Sequence, residues 1–263
     1  MRLFQIDAFT LTVFGGNPAA ICIVEDELSS DLMQSIAMEM NLSETAFVKV
    51  YENHCNIRWF TPATEVPLCG HATLASAFVL FTEGYWPESK TIEFESLSGP
   101  LFVEKKESLL TLNFPGQTPN SLSEEKLNEF NDLFDIDLMD VLEVPNEMIF
   151  IFKSEEDLRT FNPDDSKVAS MAQNGLITSA WSGQNDIDFI SRYFAPNLGI
   201  KEDPVTGFMH TILTPYWASK KGRNAFKVFQ ASQRGGDLSV EMKGERVLIS
   251  GEAVKVFETE LSF

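Results

Sequence analysis

Residues 58–84 read RWFTPATEVPLCGHATLASAFVLFTEG, and residues 192–222 repeat the pattern as RYFAPNLGIKEDPVTGFMHTILTPYWASKKG. Each copy opens with Arg, an aromatic residue, Phe, one variable residue and Pro, so Arg58 corresponds to Arg192, 134 positions later. Three extra residues lengthen the second loop, after which Gly70 corresponds to Gly207. A sustained offset near half of 263 residues indicates a duplication. The sequence therefore predicts two related halves that face each other.

Both copies predict a buried helix after the loop. From Ala72 to Phe81 the residues are apolar on nearly every face, and the run is too short to cross a bilayer. Such a helix needs other structure around it. We expect central helices over residues 71–83 and 207–221, which end at Gly84 and Gly222 because glycine adopts the left-handed conformation of a helix end.

The composition excludes several classes of partner. The net charge is −19, from 20 basic and 39 acidic residues, which opposes binding to nucleic acid or to an anionic membrane surface. A small anionic ligand stays compatible with this charge because local donors can overcome the distant field. Three cysteines and no signal peptide predict a reducing, cytoplasmic location, and we find no transmembrane segment in the sequence.

Glu44 is the first candidate for chemistry. It stands in NLSETAFV, residues 41–48, where a carboxylate precedes an apolar strand. Two other interpretations stay open, namely a solvated loop glutamate and a partner for Arg58. The corresponding stretch of the second half, residues 174–181, contains no acid. Only the first half is therefore expected to present a carboxylate at this place.

The starts of the two predicted helices are candidates for an anion site. Residues 70–73 and 206–210 would place free backbone amides at the positive ends of two helix dipoles. Two such ends in one cleft would hold a small ligand with one or two carboxylates, or negative charge that develops on it. The predicted binding residues are Gly70, Ala72, Thr206, Gly207 and Phe208.

His71 lies at the start of the first helix, where the dipole favours the neutral imidazole, which can bind a substrate or carry a proton. It can also simply cap its own helix. Asp203 precedes the second helix and is a candidate for orienting the ligand or a proton carrier, or else a turn residue before Pro204. His210 and His54 are expected to be structural.

Cysteine and metal chemistry are weaker interpretations. Cys69 precedes a helix start, which can depress a thiol pKa and make it a base. A two-base racemase needs a second thiol, but Thr206 stands beside Gly207 in the second half, which argues against a two-cysteine mechanism. The histidines and cysteines show no ligand spacing, so we predict no metal.

The motifs together resemble the PhzF-like proteins of phenazine biosynthesis, which are relatives of diaminopimelate epimerase. The resemblance implies two similar α/β domains, each a curved, mostly antiparallel sheet wrapped around a central helix. It further implies an active site between the domains, a homodimer, and an isomerase that needs no cofactor, in which Glu44 moves a proton while His71 and Asp203 hold the substrate. It rests on these segments, which keep the family's order: Asp7-Ala-Phe9, Gly16-Asn-Pro18, Leu42-Ser-Glu-Thr-Ala46, Leu68-Cys-Gly-His-Ala-Thr73 and Glu202-Asp-Pro-Val-Thr-Gly207.

One departure from the family pattern separates the hypotheses. Phe208-Met209 stands where the resemblance implies a small pair, usually Ser-Ala, so we expect Phe208 to lack the serine hydroxyl bond and to narrow the cleft near the helix start. We expect domains at residues 1–116 and 117–252, with a last strand over residues 253–263 that can cross back to the first domain.

The main hypothesis for the function is an isomerase that moves a proton on its substrate. The alternatives are a non-catalytic small-acid binding protein and a Cys69-dependent epimerase.

Overall fold

The computed structural model describes residues 1–183 and 186–262. By their internal contacts these residues form two units, one of residues 1–113 with 248–263 and one of residues 114–247. The predicted domain boundaries after residues 116 and 252 stay a prediction. None of the helices in the described ranges is long and apolar enough to cross a membrane.

The first unit is a sheet with two helices. Its strand order is β17-β1-β2-β3-β4-β6-β7-β8, and the short β5 pairs with the end of β4. The last strand of the chain thus pairs with the first. The elements are β1 (Arg2–Ala8), β2 (Asn17–Ile23), α1 (Ser30–Met40), β3 (Glu44–Val50), β4 (Cys55–Phe60), β5 (Glu65–Val66), α2 (Gly70–Thr82), β6 (Ile92–Glu95), β7 (Leu101–Lys106), β8 (Leu109–Pro115) and β17 (Ala253–Glu260).

The second unit repeats this arrangement. Its strands follow the order β9-β10-β11-β12-β13-β14-β15. The chain leaves this unit through β16 (Arg246–Gly251). The other elements are β9 (Asn120–Ser121), α3 (Glu124–Phe134), β10 (Leu138–Val144), β11 (Glu147–Phe152), α4 (Glu155–Thr160), α5 (Asp165–Met171), β12 (Gly175–Trp181), β13 (Phe189–Phe194), a 3₁₀ turn (Pro196–Leu198), α6 (His210–Lys221), β14 (Ala225–Gln230) and β15 (Gly236–Lys243).

The duplication is visible in the strand directions. From β1 to β7 through β4 and β6, successive pairs are antiparallel, parallel, antiparallel, parallel and antiparallel. The series from β10 to β15 is the same. Two independent sheets would not share this series by chance, so the prediction of two pseudo-symmetric α/β modules is confirmed.

An equivalent ion pair within each copy marks the loop that the repeat predicted. The Arg58 guanidinium donates to both Glu65 oxygens at 2.7 and 2.8 Å, seven residues away. Arg192 donates to both Glu202 oxygens at 2.7 and 3.1 Å, ten residues away. The three-residue difference is the insertion in the second loop. The same bidentate pair therefore closes both loops.

The helix α2 forms the centre of the first unit. It packs against β1, β2, β3 and β17, and nearly every residue from His71 to Phe81 is buried. The helix α6 is buried from His210 to Ala218 and ends at Gly222 with φ 66°, as predicted from the glycine. Its regular part begins at His210, three residues later than the predicted start at 207. Residues 207–209 instead accept bonds from amides three residues onward, as in a tight 3₁₀ turn.

Candidate active site

Glu44 is the first residue of β3 and belongs to the sheet. It is in parallel register with Ala19 of β2, and its side chain is 16% exposed. Arg58 pairs instead with Glu65 and donates to Ser30 at 2.9 Å. Both alternative interpretations of Glu44, a solvated loop residue and a partner for Arg58, are therefore wrong.

His71 lies in the first turn of α2 and faces Glu44. Its Nε2 atom is 3.3 Å from Oε2 of Glu44. Cys69 occupies the N-cap position of α2 in an extended conformation, and its side chain does not cap the helix. The imidazole contacts side chains of other elements and does not cap its own helix. The amides of Gly70, His71 and Ala72 thus begin a buried helix without a side-chain cap, which is the arrangement that binds anions.

A short chain of polar side chains sets the orientation of the imidazole. Ser43 Oγ donates to Oδ1 of Asn17 at 3.4 Å, which leaves the Asn17 amide nitrogen facing Nδ1 of His71 at 3.4 Å. Cys69 Sγ lies at the same distance from Nδ1. Since an amide NH₂ can only donate, Nδ1 is the acceptor and Nε2 carries the proton. His71 therefore carries its proton on Nε2, the ring nitrogen that lies 3.3 Å from the Glu44 carboxylate.

The charge state of His71 follows from its burial. Removal from water disfavours the charged ring and lowers the pKa of His71 to about 3. The positive end of the α2 dipole acts in the same direction. At neutral pH the contact with Glu44 is thus one between a neutral imidazole and a carboxylate, and its angles are not those of a hydrogen bond.

The same place holds the one group of potential metal ligands found in the described ranges. Atoms of Glu44, Cys69 and His71 lie within 4.8 Å of one another. The prediction of no metal rested on sequence spacing, and the fold brings together residues that the spacing separates. These three are the residues that could hold an ion.

Within the second unit, Asp203 and Thr206 form a buried cluster. Asp203 is buried and hydrogen-bonds through Oδ2 to the hydroxyl of Thr206. Gln230 fixes both residues, because it accepts from the Thr206 amide at 2.7 Å and donates to the Asp203 carbonyl at 2.9 Å. A Cβ at Gly207 would meet no atom of the described residues within 4 Å beyond its chain neighbours, and the Phe208 ring packs edge-on against Tyr193 at 5.4 Å. Hydrogen bonds with Gln230 and the contact with Tyr193 thus fix the loop before α6 at three residues, Asp203, Thr206 and Phe208.

The two other histidines differ in environment. His54 lies near the surface, where it stacks on Tyr51 at 4.8 Å and pairs with Glu95 at 3.6 Å. His210 is fully buried beside Phe189, and burial lowers its pKa to about 3.

Sequence reasoning missed Glu147, the first residue of β11. It is only 6% exposed, and burial raises its pKa to about 7. The signal that could have found it is the pattern already noted at Glu44, a carboxylate that directly precedes an apolar strand. Here the turn Pro145-Asn146 leads into Glu147 and then into buried Met148 and Ile149.

Comparisons with known proteins decide the family. The family model described as "Phenazine biosynthesis-like protein" matches residues 6–259. The chain belongs to the phenazine biosynthesis-like family. Two relatives, each named an uncharacterised isomerase, come from Pseudomonas aeruginosa and Halalkalibacterium halodurans. The first is 43% identical over 256 residues, 97% of this chain and 96% of its own length. The second is 40% identical over 259 residues, 98% and 97% of the two chains.

Solved structures agree with this family. The crystal structure of a PhzF family protein from Enterococcus faecalis is 39% identical, with a TM-score of 0.93 over 100% of this chain and 99% of that one. A probable proline racemase from Agrobacterium radiobacter, 8% identical, reaches a TM-score of 0.64 over 99% of this chain and 92% of its own, which concerns the fold alone. The phenazine biosynthesis-like chain thus has the diaminopimelate epimerase-like fold that the sequence predicted.

Proposed function

We propose that this protein is an isomerase in which Glu44 moves a proton on a small substrate that carries a carboxylate. The isomerase class follows from family membership and from the relatives' names. The observation that supports the assignment of Glu44 is its contact with the neutral imidazole of His71 at the start of α2.

The proposed reaction begins with removal of a proton. The Glu44 carboxylate takes it from a carbon that is acidified by a neighbouring unsaturated or carboxyl group, and the C–H electron pair moves into that group. Glu44 is then a carboxylic acid and the substrate carries the negative charge. The N–H of His71 and the first amides of α2 would stabilise this charge.

Return of the proton completes the reaction. Glu44 gives the proton to a different carbon, the new C–H bond uses the delocalised electron pair, and the carboxylate is restored. No electron leaves the substrate and no group is transferred, so the proposed steps need no redox cofactor. The rise of the Glu44 pKa that such a base needs stays a prediction.

Binding through the second unit is part of the same proposal. We expect Asp203, Thr206, Gly207 and Phe208 to contact the substrate, because they flank the start of the central helix of that unit as Gly70 and Ala72 do in the first. A homodimer and a cytoplasmic location complete the proposal, and both stay predictions. Sedimentation of the purified protein tests the dimer.

The decisive experiment is solvent deuterium incorporation into candidate cyclic and α-amino acids. Glu44→Gln keeps the size of the side chain but removes the base, and we expect exchange to fall by at least about a thousandfold. Glu93→Gln, on β6, is the matched control and should exchange like the wild type. EDTA in the buffer removes any metal held by Glu44, Cys69 and His71. Undiminished exchange in Glu44→Gln would exclude Glu44 as the base.

A second candidate function is a small-acid binding protein without turnover. The observation that favours it is the Phe208 ring packed against Tyr193, at a position where the resemblance implies a small residue. Under this alternative, small carboxylic acids raise the melting temperature of the wild type, but no deuterium enters any of them. The wild-type exchange assay separates the two functions.

A further inference from the structure

The two repeats carry a carboxylate at the same place on different strands. Arg58 faces Phe47 across β3 and β4, and Arg192 faces Thr178 across β12 and β13. Three residues before these partners stand Glu44 in the first unit and Gly175 in the second. Gly175 is therefore the counterpart of Glu44.

The neighbouring strand supplies the missing acid. In the parallel register Ala19 lies beside Glu44, and Glu147 lies beside Gly175. A side chain at position 175 is excluded, because its Cβ would be 2.4 Å from the Phe194 carbonyl oxygen. Since register partners point to the same side of a sheet, Glu147 extends in the direction that Glu44 takes in its own unit.

Glu147 is held by neutral groups. Its Oε1 atom accepts from the Asn174 amide at 3.1 Å, and the Tyr193 hydroxyl lies 3.3 and 3.2 Å from its two oxygens. The backbone amide of Gly175 also donates to it. Burial of a carboxylate among neutral donors lowers the free energy of unfolding, because the charge is removed from water without an opposite charge beside it. An uncharged amide at the same place would not carry this cost. Burial raises its pKa to about 7, although these donors act against the rise.

Tyr193 connects Glu147 to the loop before α6. Its carbonyl oxygen accepts from the Asp203 amide at 3.0 Å. Its ring meets the Phe208 ring edge-on, with centroids 5.4 Å apart. One residue thus supports two members of the predicted binding loop, and Glu147 fixes the far end of that residue.

We propose that Glu147 is a positioning residue that sets Phe208 and Asp203 through the hydroxyl of Tyr193. Ionised Glu147 accepts the Tyr193 bond at either oxygen. Protonated Glu147 must place a hydrogen on one oxygen, which changes the bonds to Tyr193 and Asn174. Among the described residues, the titratable groups that face it are Tyr193 on β13 and, beyond it, Asp203. Its register partners on β10 and β12 are Val144 and Gly175. The proposal rests on the proposed function only where it assigns substrate contact to Phe208 and Asp203.

The test uses 4-fluorophenylalanine placed at position 208 alone by codon suppression. We expect the ¹⁹F shift of the otherwise unchanged protein to titrate with a midpoint near neutral pH. Glu147→Gln and Tyr193→Phe should each abolish this titration, because each removes one end of the bond. Tyr216→Phe is the matched control, since Tyr216 makes the same kind of bond to Asp140 elsewhere in the unit and should leave the titration intact. A flat curve in the parent protein, or a titration that survives Glu147→Gln, overturns the proposal.

Steady-state kinetics give the second readout. Glu147→Gln should raise KM about tenfold and leave kcat within about twofold, because the residue orients a binding wall and takes no part in proton transfer. If Glu147→Gln does not fold, the ¹⁹F titration and the kinetics of Tyr193→Phe alone test the proposal. The ¹⁹F titration needs no substrate, so it tests Glu147 even where the deuterium assay rejects the role of Glu44. Equal loss of kcat and kcat/KM with an unchanged KM would contradict positioning.

Discussion

Nε2 of His71 lies 3.3 Å from Oε2 of Glu44, although the two residues are 27 positions apart in the sequence. The contact exists because β3 is a central strand and α2 is the helix that its sheet encloses. Asn17, on the neighbouring strand β2, faces the other ring nitrogen. The imidazole thus has a polar neighbour beside each ring nitrogen, which allows a test by substitution.

Asn17→Asp is expected to cost more activity than Asn17→Ala. Asp accepts from Nδ1–H and so moves the ring proton away from Nε2, which then presents a lone pair to Glu44. Alanine removes the amide donor but supplies no acceptor, so the ring proton can remain on Nε2. We expect kcat/KM to fall about tenfold in Asn17→Ala and at least about a hundredfold in Asn17→Asp.

The measurement combines kinetics with ¹⁵N NMR of the His71 ring, which distinguishes the two tautomers. The change of tautomer must accompany the larger loss. Equal activities of the two variants, or an Asp variant that keeps Nε2–H, would contradict the role given to Asn17.

Cys69→Ala should retain activity within about threefold, because the proposed base is Glu44 and the thiol lies beside the unprotonated Nδ1 of His71, at 3.4 Å. Cys22→Ala is the control for loss of a buried sulfur. Burial raises the pKa of Cys22 to about 12, so it has no thiolate chemistry. Complete inactivation of Cys69→Ala beside an active Cys22→Ala would favour the cysteine-dependent epimerase.

Arg192→Lys should destabilise the protein more than Arg58→Lys. Arg192 is 10% exposed and donates to the carbonyls of Leu158 and Phe161 as well as to Glu202. Lysine cannot reproduce this planar set of donors, so buried acceptors lose their partners. Arg58 is 33% exposed and water can replace its bonds. We expect Arg192→Lys to lower the free energy of unfolding by about 2–3 kcal/mol and Arg58→Lys to lower it by about 1 kcal/mol, both measured by urea denaturation. A larger loss in Arg58→Lys than in Arg192→Lys would show that the exposure of the arginine does not determine how much its replacement destabilises the protein.

The sequence predicted those features of the fold that repeat. Arg58 and Arg192 carry the offset, and the three-residue insertion reappears as the longer separation of Arg192 from Glu202. Glu44 and His71 were identified because a carboxylate before a strand and a histidine at a helix start are local patterns. Their contact could not be derived, since it depends on the packing of α2 against β3.

Two features escaped sequence reasoning for physical reasons. The apolar run predicted α6 from residue 207, but the chain at Phe208 and Met209 makes a tight turn in which Met209 is fully buried. Glu147 escaped because a glutamate beside a turn normally faces water. Only the three-dimensional register with Gly175, whose place admits no side chain, reveals that this carboxylate lies inside the unit.

The buried carboxylate of Glu147 predicts how stability depends on pH. Its pKa rises from 4.5 to about 7 on folding, so between these values the folded protein keeps a proton that the unfolded chain has released. Stability contributed by this group therefore falls as pH rises from 4.5 to 7 and is constant outside that window. The amide introduced by Glu147→Gln cannot titrate, so the variant should gain on the wild type across the window by at most about 3 kcal/mol.

Urea unfolding of both proteins from pH 4 to 8, followed by hydrogen exchange of the β11 and β12 amides, measures this difference. Burial lowers the pKa values of His71 and His210 in both proteins alike, so their opposite contribution, a loss of stability as pH falls below 6.5, cancels in the comparison. Tyr193→Phe removes a donor that favours the ionised carboxylate, so the pKa of Glu147 should rise further. The fall of stability with rising pH should therefore continue to a higher pH in this variant than in the wild type. A difference between Glu147→Gln and the wild type that stays constant from pH 4 to 8 would mean that Glu147 does not exchange a proton on folding, and the cost assigned to its burial would then be wrong.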